Sequence, residues 1–218
     1  MRVEKPIYLI RKGSFGKSKE FSRILSEVND AIKHVVWPPG AAKFTIYPGT
    51  KGNEKLKIKD TSNGVKPIKE AFVDCLTSQY KWESEKHLHI ATRDKPGKLD
   101  VVKKVDAKAP LWFAVEWETG NISSSHRALN KMAVGLIDRK LAGGILILPT
   151  RNLYRYLTDR IGNVEELTPY FSMWKKLDIE SGVLAVLPVE QDATSKSVKR
   201  IPKGYDGWAL VKKSRGKK

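Results

Sequence analysis

The chain has 218 residues, with 41 lysines and arginines against 24 aspartates and glutamates, for a formal net charge of +17. Hydrophobic residues make up 40% of it, which excludes a chain that is disordered as a whole. The composition predicts one globular domain over residues 1–218, which ends in a basic tail from about residue 208. Such charge on a folded surface indicates a nucleic-acid partner, with a membrane surface second and an enzyme with a basic surface as the plain alternative.

The first predicted element is an amphipathic helix from about Ser18 to Val36. Its apolar side chains recur at helical spacing, at Phe21, Ile24, Leu25, Val28, Ile32 and Val35. Trp37-Pro38 ends the helix, because a residue before proline is pushed out of helical geometry. A short strand from Lys43 to Tyr47 and a polar loop at 48–63 are expected to follow.

A second helix is predicted to start near Pro67, a residue favoured in the first helical turn. Cys75 falls on its apolar stripe, which favours a core thiol over a nucleophile because nothing nearby in the sequence would make it a thiolate. Strands are expected from Lys86 to Thr92 and from Leu99 to Val102, with a turn at 95–97 between them.

The segment from Leu111 to Glu118 is predicted to be a strand with two distinct faces. Leu111, Phe113, Val115 and Trp117 point one way, whereas Ala114, Glu116 and Glu118 point the other. The two glutamates would then be neighbours, about 7 Å apart along the strand.

The rest of the chain predicts an α/β alternation. A helix from about Ser124 to Lys140 has Ser123, Ser124 and Ser125 as candidate N-caps. Apolar strands at 144–148 and 183–189 and a helix at 151–157 follow, with a turn at 201–207. The expected fold class is α/β, a mixed central β-sheet flanked by α-helices.

Three carboxylates, Asp100, Glu116 and Glu118, form the best candidate site. Carboxylates bind hard cations such as Mg²⁺, and a basic protein with such a cluster suits phosphodiester hydrolysis. Most Glu-x-Glu pairs are only a solvated strand face, but here residues 119–125 lead directly into a helix N-terminus, which attracts phosphates.

These residues carry a family resemblance. The segment from Glu116 to Lys131 resembles the active-site strand and following helix of the BamHI type II restriction endonucleases. Further matching segments follow in the same order over nearly the whole chain: Trp37-Pro38, 43–46, 63–70, 156–160, 165–171 and 201–207.

The resemblance implies a restriction-endonuclease-like fold and a Mg²⁺-dependent enzyme without an organic cofactor. Asp100 and Glu116 would hold the metal, Glu118 would be the general base or water-orienting carboxylate, and Glu85 would be a further acidic residue of the metal site. The wider nuclease superfamily usually has lysine at the Glu118 position. A carboxylate can accept a proton from water, whereas a protonated lysine can only donate one.

The resemblance also assigns DNA contacts. Asn121, Ser123, Asp159 and Arg160 would read the major groove, where arginine suits guanine and aspartate suits the cytosine amino group. Lys69 and Arg127 would lie near the DNA or the active site. Tyr205, Asp206 and Gly207 would belong to a C-terminal arm that approaches the minor groove.

The implied function is double-strand cleavage of a palindrome with a central GATC, GGATCC in the first instance, by a homodimer that leaves 5′ overhangs. A sequence-specific DNA-binding protein without cleavage and a nuclease with a different target are the alternatives. Ile137-Asp138 replaces a basic stretch of the family, so dimer contacts are expected to differ in detail.

The cellular setting follows from the N-terminus and the single cysteine. No signal peptide is recognisable, Cys75 cannot form an internal disulfide, and the apolar runs are too short to span a membrane. The expectation is a cytoplasmic protein with no membrane partner.

Overall fold

A computed structural model describes residues 1–53, 55–90, 97–106, 111–158 and 161–203. In these ranges no helix is long and apolar enough to cross a membrane. The helices are α1 (Lys19–His34), α2 (Lys66–Tyr80), α3 (Ile122–Ile137), α4 (Arg151–Tyr154), α5 (Val164–Leu167) and α6 (Phe171–Lys175). The strands are β1 (Arg2–Val3), β2 (Ile7–Lys12), β3 (Thr45–Ile46), β4 (Glu83–His87), β5 (Lys98–Lys104), β6 (Trp112–Trp117), β7 (Leu141–Pro149), β8 (Gly182–Glu190) and β9 (Ala193–Thr194).

The main sheet has the strand order β1-β8-β7-β6-β5-β4, and β2 also pairs with β8. Strands β6, β7 and β8 run parallel to one another, whereas β4, β5 and the two N-terminal strands pair antiparallel with their neighbours. A separate small sheet joins β3 to β9 in parallel. The predicted mixed sheet flanked by helices is confirmed.

The centre of the sheet is covered on both faces. Every residue of β7 and nearly every residue of β8 is buried, because both are almost continuous apolar runs. Helices α1 and α2 cover one face, while α3 and α6 cover the other. The alternation predicted for β6 is confirmed, since Phe113, Val115 and Trp117 join the core under α1 and α2 and Ala114 joins the opposite one.

The predicted first helix is confirmed with slightly different ends. Ser18 is its N-cap, with a side-chain oxygen that accepts from the Phe21 N–H at 3.0 Å, and the helix ends at His34 rather than at Val36. The second helix begins at Lys66, one residue before the predicted proline. Cys75 is buried, as expected of a core thiol.

Several expected boundaries were wrong. Helix α3 starts two residues earlier than predicted because Asn121, and not one of the three serines, accepts from the Ser124 N–H as N-cap. The strand expected from Lys86 starts three residues earlier, at Glu83. The helix expected to Leu157 ends at Tyr154, and the turn residues Lys95 and Pro96 lie outside the described residues.

Candidate active site and DNA interface

Asp100 and Glu116 lie opposite each other where the ladder between β5 and β6 ends. The last regular pair is Val101 with Val115. Beyond it, backbone N–H groups bond to side-chain carboxylates instead of to backbone carbonyls. The Asp100 N–H donates to Glu116 Oε2 at 3.3 Å, and the Trp117 N–H donates to Asp100 Oδ2 at 2.9 Å. Backbone geometry therefore fixes both carboxylates at the carboxyl end of β6.

Glu118 is held by the turn that follows β6. The Gly120 N–H donates to Glu118 Oε1 at 2.6 Å. A Cβ added to Gly120 would stand 2.8 Å from that same oxygen, so any larger residue here would push the Glu118 carboxylate from its position. We call Asp100, Glu116 and Glu118 the carboxylate cluster.

Burial raises the pKa of both glutamates of the carboxylate cluster, because it disfavours their charged forms. Desolvation, followed by the charge of Asp100, raises the pKa of Glu116 to about 8. Desolvation is also the main cause that raises the pKa of Glu118, against the lowering effect of the Gly120 N–H. A cation placed among these oxygens would favour the ionised forms of both side chains.

Two lysines supply positive charge to the carboxylate cluster. Lys69, in the first turns of α2, places its Nζ 2.6 Å from Asp100 Oδ1. Lys131 on α3 donates to the carbonyl of Lys98 at 2.5 Å, and burial lowers its pKa although Glu116 and Asp100 act in the opposite direction. The carboxylate cluster offers only oxygen ligands, which fits a hard divalent cation that Asp100 and Glu116 would hold.

Glu85 differs from the other acidic residues predicted for the site in its exposure to solvent. Its side chain is 71% exposed and pairs with Lys98 at 2.7 Å, a contact that lowers the pKa of its carboxyl group. Its backbone is left-handed, with φ at 50°, so strand β4 is irregular at this point.

The start of α3 presents polar side chains next to the carboxylate cluster. Asn121, Ser123 and Arg127 are all exposed, and the Asn121 oxygen is used as the helix cap. Arg127 donates to the Ser124 hydroxyl at 3.1 Å. The free amide hydrogens of Asn121, the Ser123 hydroxyl and the remaining donors of Arg127 face solvent, where a ligand can reach them.

A fully buried asparagine, Asn63, ties three segments together. Its Nδ2 donates to the carbonyls of Tyr47 and Tyr156 at 2.8 and 2.9 Å, and its Oδ1 accepts from the Ile201 N–H at 3.1 Å. Its main chain pairs with Tyr156 and Thr158. Sequence reasoning did not single out Asn63, although an Asn-Gly pair before a proline-started helix is a recognisable turn signal.

Asp159, Arg160, Tyr205, Asp206 and Gly207 lie outside the described residues. Their described neighbours have defined partners. Thr158 binds the Asn63 carbonyl, and Gly162 donates to the Gly120 carbonyl at 3.0 Å, next to the start of α3.

Residues 1–208 match the sequence model of the restriction endonuclease BamHI family. This chain belongs to the BamHI restriction endonuclease family. The type II restriction enzyme OkrAI of Oceanobacter kriegii is 45% identical over 210 residues, covering 96% of this chain and all of that enzyme. BamHI of Bacillus amyloliquefaciens is 35% identical over 213 residues, covering 96% of this chain and 93% of that enzyme.

The fold agrees with this membership. Restriction endonuclease BglII, solved in complex with a DNA 16-mer, superposes with a TM-score of 0.61 over 92% of this chain and 88% of that chain, at 9% identity. The protein is thus a type II restriction endonuclease, a DNA-binding hydrolase with a restriction-endonuclease fold. Enzymes of this kind generally use divalent metal ions.

Proposed function

We propose that this endonuclease cuts both strands of GGATCC in a Mg²⁺-dependent reaction and leaves 5′ overhangs. The observation that carries the chemistry is the carboxylate cluster, fixed by backbone hydrogen bonds beside the start of α3. The target sequence rests on the relationship to BamHI, which extends over nearly the full length of both chains.

Each carboxylate has its own role in the proposed reaction. A divalent cation held by Asp100 and Glu116 would supply neutralisation of the charge on the scissile phosphate. Glu118 would orient the attacking water and accept its proton, and its raised pKa makes it a stronger base than an ordinary carboxylate. Glu85 would add negative charge at the edge of the site.

We assign base reading to the start of α3 and to the pair Asp159-Arg160. Asn121 and Ser123 would contact the bases from the exposed N-terminus of α3, and Asp159 and Arg160 would read a guanine–cytosine pair. The bond from Gly162 to Gly120 supports a common location for both segments. Lys69 and Arg127 would contribute positive charge close to the cleaved phosphate, and residues 205–207 would approach the minor groove.

We further propose a homodimer, since a palindrome presents the same half-site twice and two-fold protein symmetry matches it. The face that includes the middle of α3 supports this assembly. Tyr170 and Met173 are each 48% exposed there, and Tyr170 packs edge-on against His126 with ring centroids 4.5 Å apart. Because DNA is the proposed substrate, we also propose that the enzyme acts in the cytoplasm.

Digestion of a long unmethylated DNA of known sequence, with and without Mg²⁺, tests the proposal when every end is mapped. Ends confined to GGATCC, with 5′ extensions and only in the presence of the metal, are expected. Ends at another sequence would overturn the proposed target and the base contacts while leaving the carboxylate cluster in place. Intact DNA that is only retarded on a gel would favour a binding protein, and competition by RNA would favour another nuclease.

A further inference from the structure

A second group of potential metal ligands lies between α1 and α2, away from the carboxylate cluster. Asp30 and His34 are four residues apart on α1, so they project from the same face of the helix near its end. Cys75 reaches them from α2. One ligand atom from each of the three side chains lies within 4.8 Å of the other two.

The spacing between Asp30 and His34 already matches that of two ligands in a zinc site. Zn²⁺ binds carboxylate oxygen and imidazole nitrogen at about 2.0–2.2 Å and thiolate at about 2.3 Å, which puts tetrahedral ligand atoms about 3.3–3.7 Å apart. His34 Nδ1 is already 3.6 Å from Asp30 Oδ2. The imidazole now contacts the Asp30 main-chain oxygen at 3.0 Å, a contact that metal binding would replace.

The surroundings hold the carboxylate in place and leave one side open. The Tyr80 hydroxyl donates to Asp30 Oδ2 at 2.5 Å, the kind of outer contact that orients a metal-binding carboxylate. The Asp30 and His34 side chains are 42% and 48% exposed, while Cys75 is 5% exposed. An ion could therefore enter from solvent and keep a water as its fourth ligand.

The charges also suit a divalent ion with some affinity for sulfur. When Cys75 releases its proton to solvent, the thiolate and the Asp30 carboxylate together offset a charge of +2. Glu27, whose charge also acts on Tyr80, is neutralised by its ion pair with Lys103. Thiolate and imidazole ligands favour Zn²⁺ over Mg²⁺.

We infer that Asp30, His34 and Cys75 form a Zn²⁺ site that joins the end of α1 to α2. The site is independent of the catalytic reaction. Its one ligand on α2, Cys75, lies beyond Lys69, the residue that contacts Asp100, so a bound ion would fasten α2 to α1 without touching the DNA-facing end of α2. Loss of the ion should lower thermal stability and leave the target sequence unchanged.

Titration of the full-length protein with Co²⁺ in Mg²⁺-free buffer gives the most direct test. Because the chain contains one cysteine, a sulfur-to-cobalt charge-transfer band reports Cys75 alone. We expect this band to appear at one equivalent and Zn²⁺ to displace it. In thermal melts, Zn²⁺ at a hundred times its dissociation constant should raise the midpoint by about 5–10 °C.

Three variants separate this site from the carboxylate cluster. His34→Gln changes an exposed side chain and should weaken the Zn²⁺ response at least tenfold, whereas His89→Gln, an exposed histidine outside the group, should behave as wild type. Cys75→Ala should lose the cobalt band, and its metal-free melting midpoint shows whether it folds. Absence of the band in the wild type, or a Zn²⁺ shift that survives both His34→Gln and Cys75→Ala, would overturn the inference.

Discussion

The carboxylate cluster and the Asp30–His34–Cys75 group differ in how they are built and in what they can bind. The carboxylate cluster sits at strand ends, where main-chain N–H groups fix acidic side chains in partial burial. The group between the helices relies on side chains that pack against one another, two of them open to solvent. One offers only oxygen and suits catalysis with a hard cation, whereas the other adds sulfur and nitrogen to one carboxylate and suits Zn²⁺.

The largest expected effect that distinguishes the two groups is on DNA cleavage, which should depend on the carboxylate cluster. Glu118→Ala should lower the cleavage rate by about 10²–10⁴-fold, because the proposed proton acceptor is lost. Single-turnover cleavage measures the change, and a gel-shift assay in Ca²⁺ checks that DNA still binds. Glu180→Gln is the control, because Glu180 is exposed and pairs with Arg139, just beyond the C-terminal end of α3. A Glu118→Ala enzyme that cuts at the wild-type rate would contradict the proposed role of Glu118.

The pH dependence of stability gives the next largest effect. The pKa of Glu116 is raised to about 8 in the folded protein, above its unfolded value, so this residue disfavours folding progressively as the pH rises from about 4.5 to 8. The metal-free Glu116→Gln variant should therefore be more stable than wild type at pH 8, by a few kcal/mol, and equally stable near pH 4.5. Urea unfolding at a series of pH values measures the difference in stability between the two proteins. A difference that does not change with pH would show that the titration of Glu116 does not cause it.

A smaller effect is expected when the lysine beside Asp100 is removed. The charge of Lys69 lowers the pKa of both Glu116 and Glu118, in opposition to burial. Lys69→Met should thus move the rising limb of the pH–rate profile to higher pH, by less than about one unit. Lys66→Met, which removes an exposed lysine from the same helix, should leave the limb where it is.

Glu85 should show the smallest change among the predicted metal-site residues. It is largely exposed and already paired with Lys98, so its charge is screened from the carboxylate cluster. Glu85→Gln should slow cleavage by less than about tenfold. Glu83→Gln, two residues earlier on β4 and paired with Lys86, provides the comparison. A loss as large as that of Glu118→Ala would make Glu85 an inner ligand.

The two groups also differ in how far the sequence could predict them. The placement of Glu116 and Glu118 on one face follows from strand alternation, a local rule that holds because Phe113, Val115 and Trp117 all point into the core under α1 and α2. The proximity of Cys75 to Asp30 and His34 depends on how α1 packs on α2, about 40 residues apart in sequence, and no local pattern encodes it.

Other elements escaped prediction for related reasons. Strands β1 and β2 were not predicted, because both are short and are stabilised by pairing with β8, nearly the full length of the chain away. Helices α5 and α6 are only four and five residues long, too short for a helical period to stand out. The cap at Asn121 was missed because three serines followed it and each is an acceptable N-cap residue.

The bonds of Asn63 have a consequence for engineering new target sequences. Residues 156–158, which lead to the proposed base-reading pair Asp159-Arg160, share this side chain with Tyr47 and with Ile201 near the proposed C-terminal arm. A loop transplanted alone from a relative with another specificity would lack residues that match its hydrogen-bond partners in this protein. Grafts that exchange residues 61–64, 156–158 and 201–203 as one set should therefore fold and cut more often than single-loop exchanges.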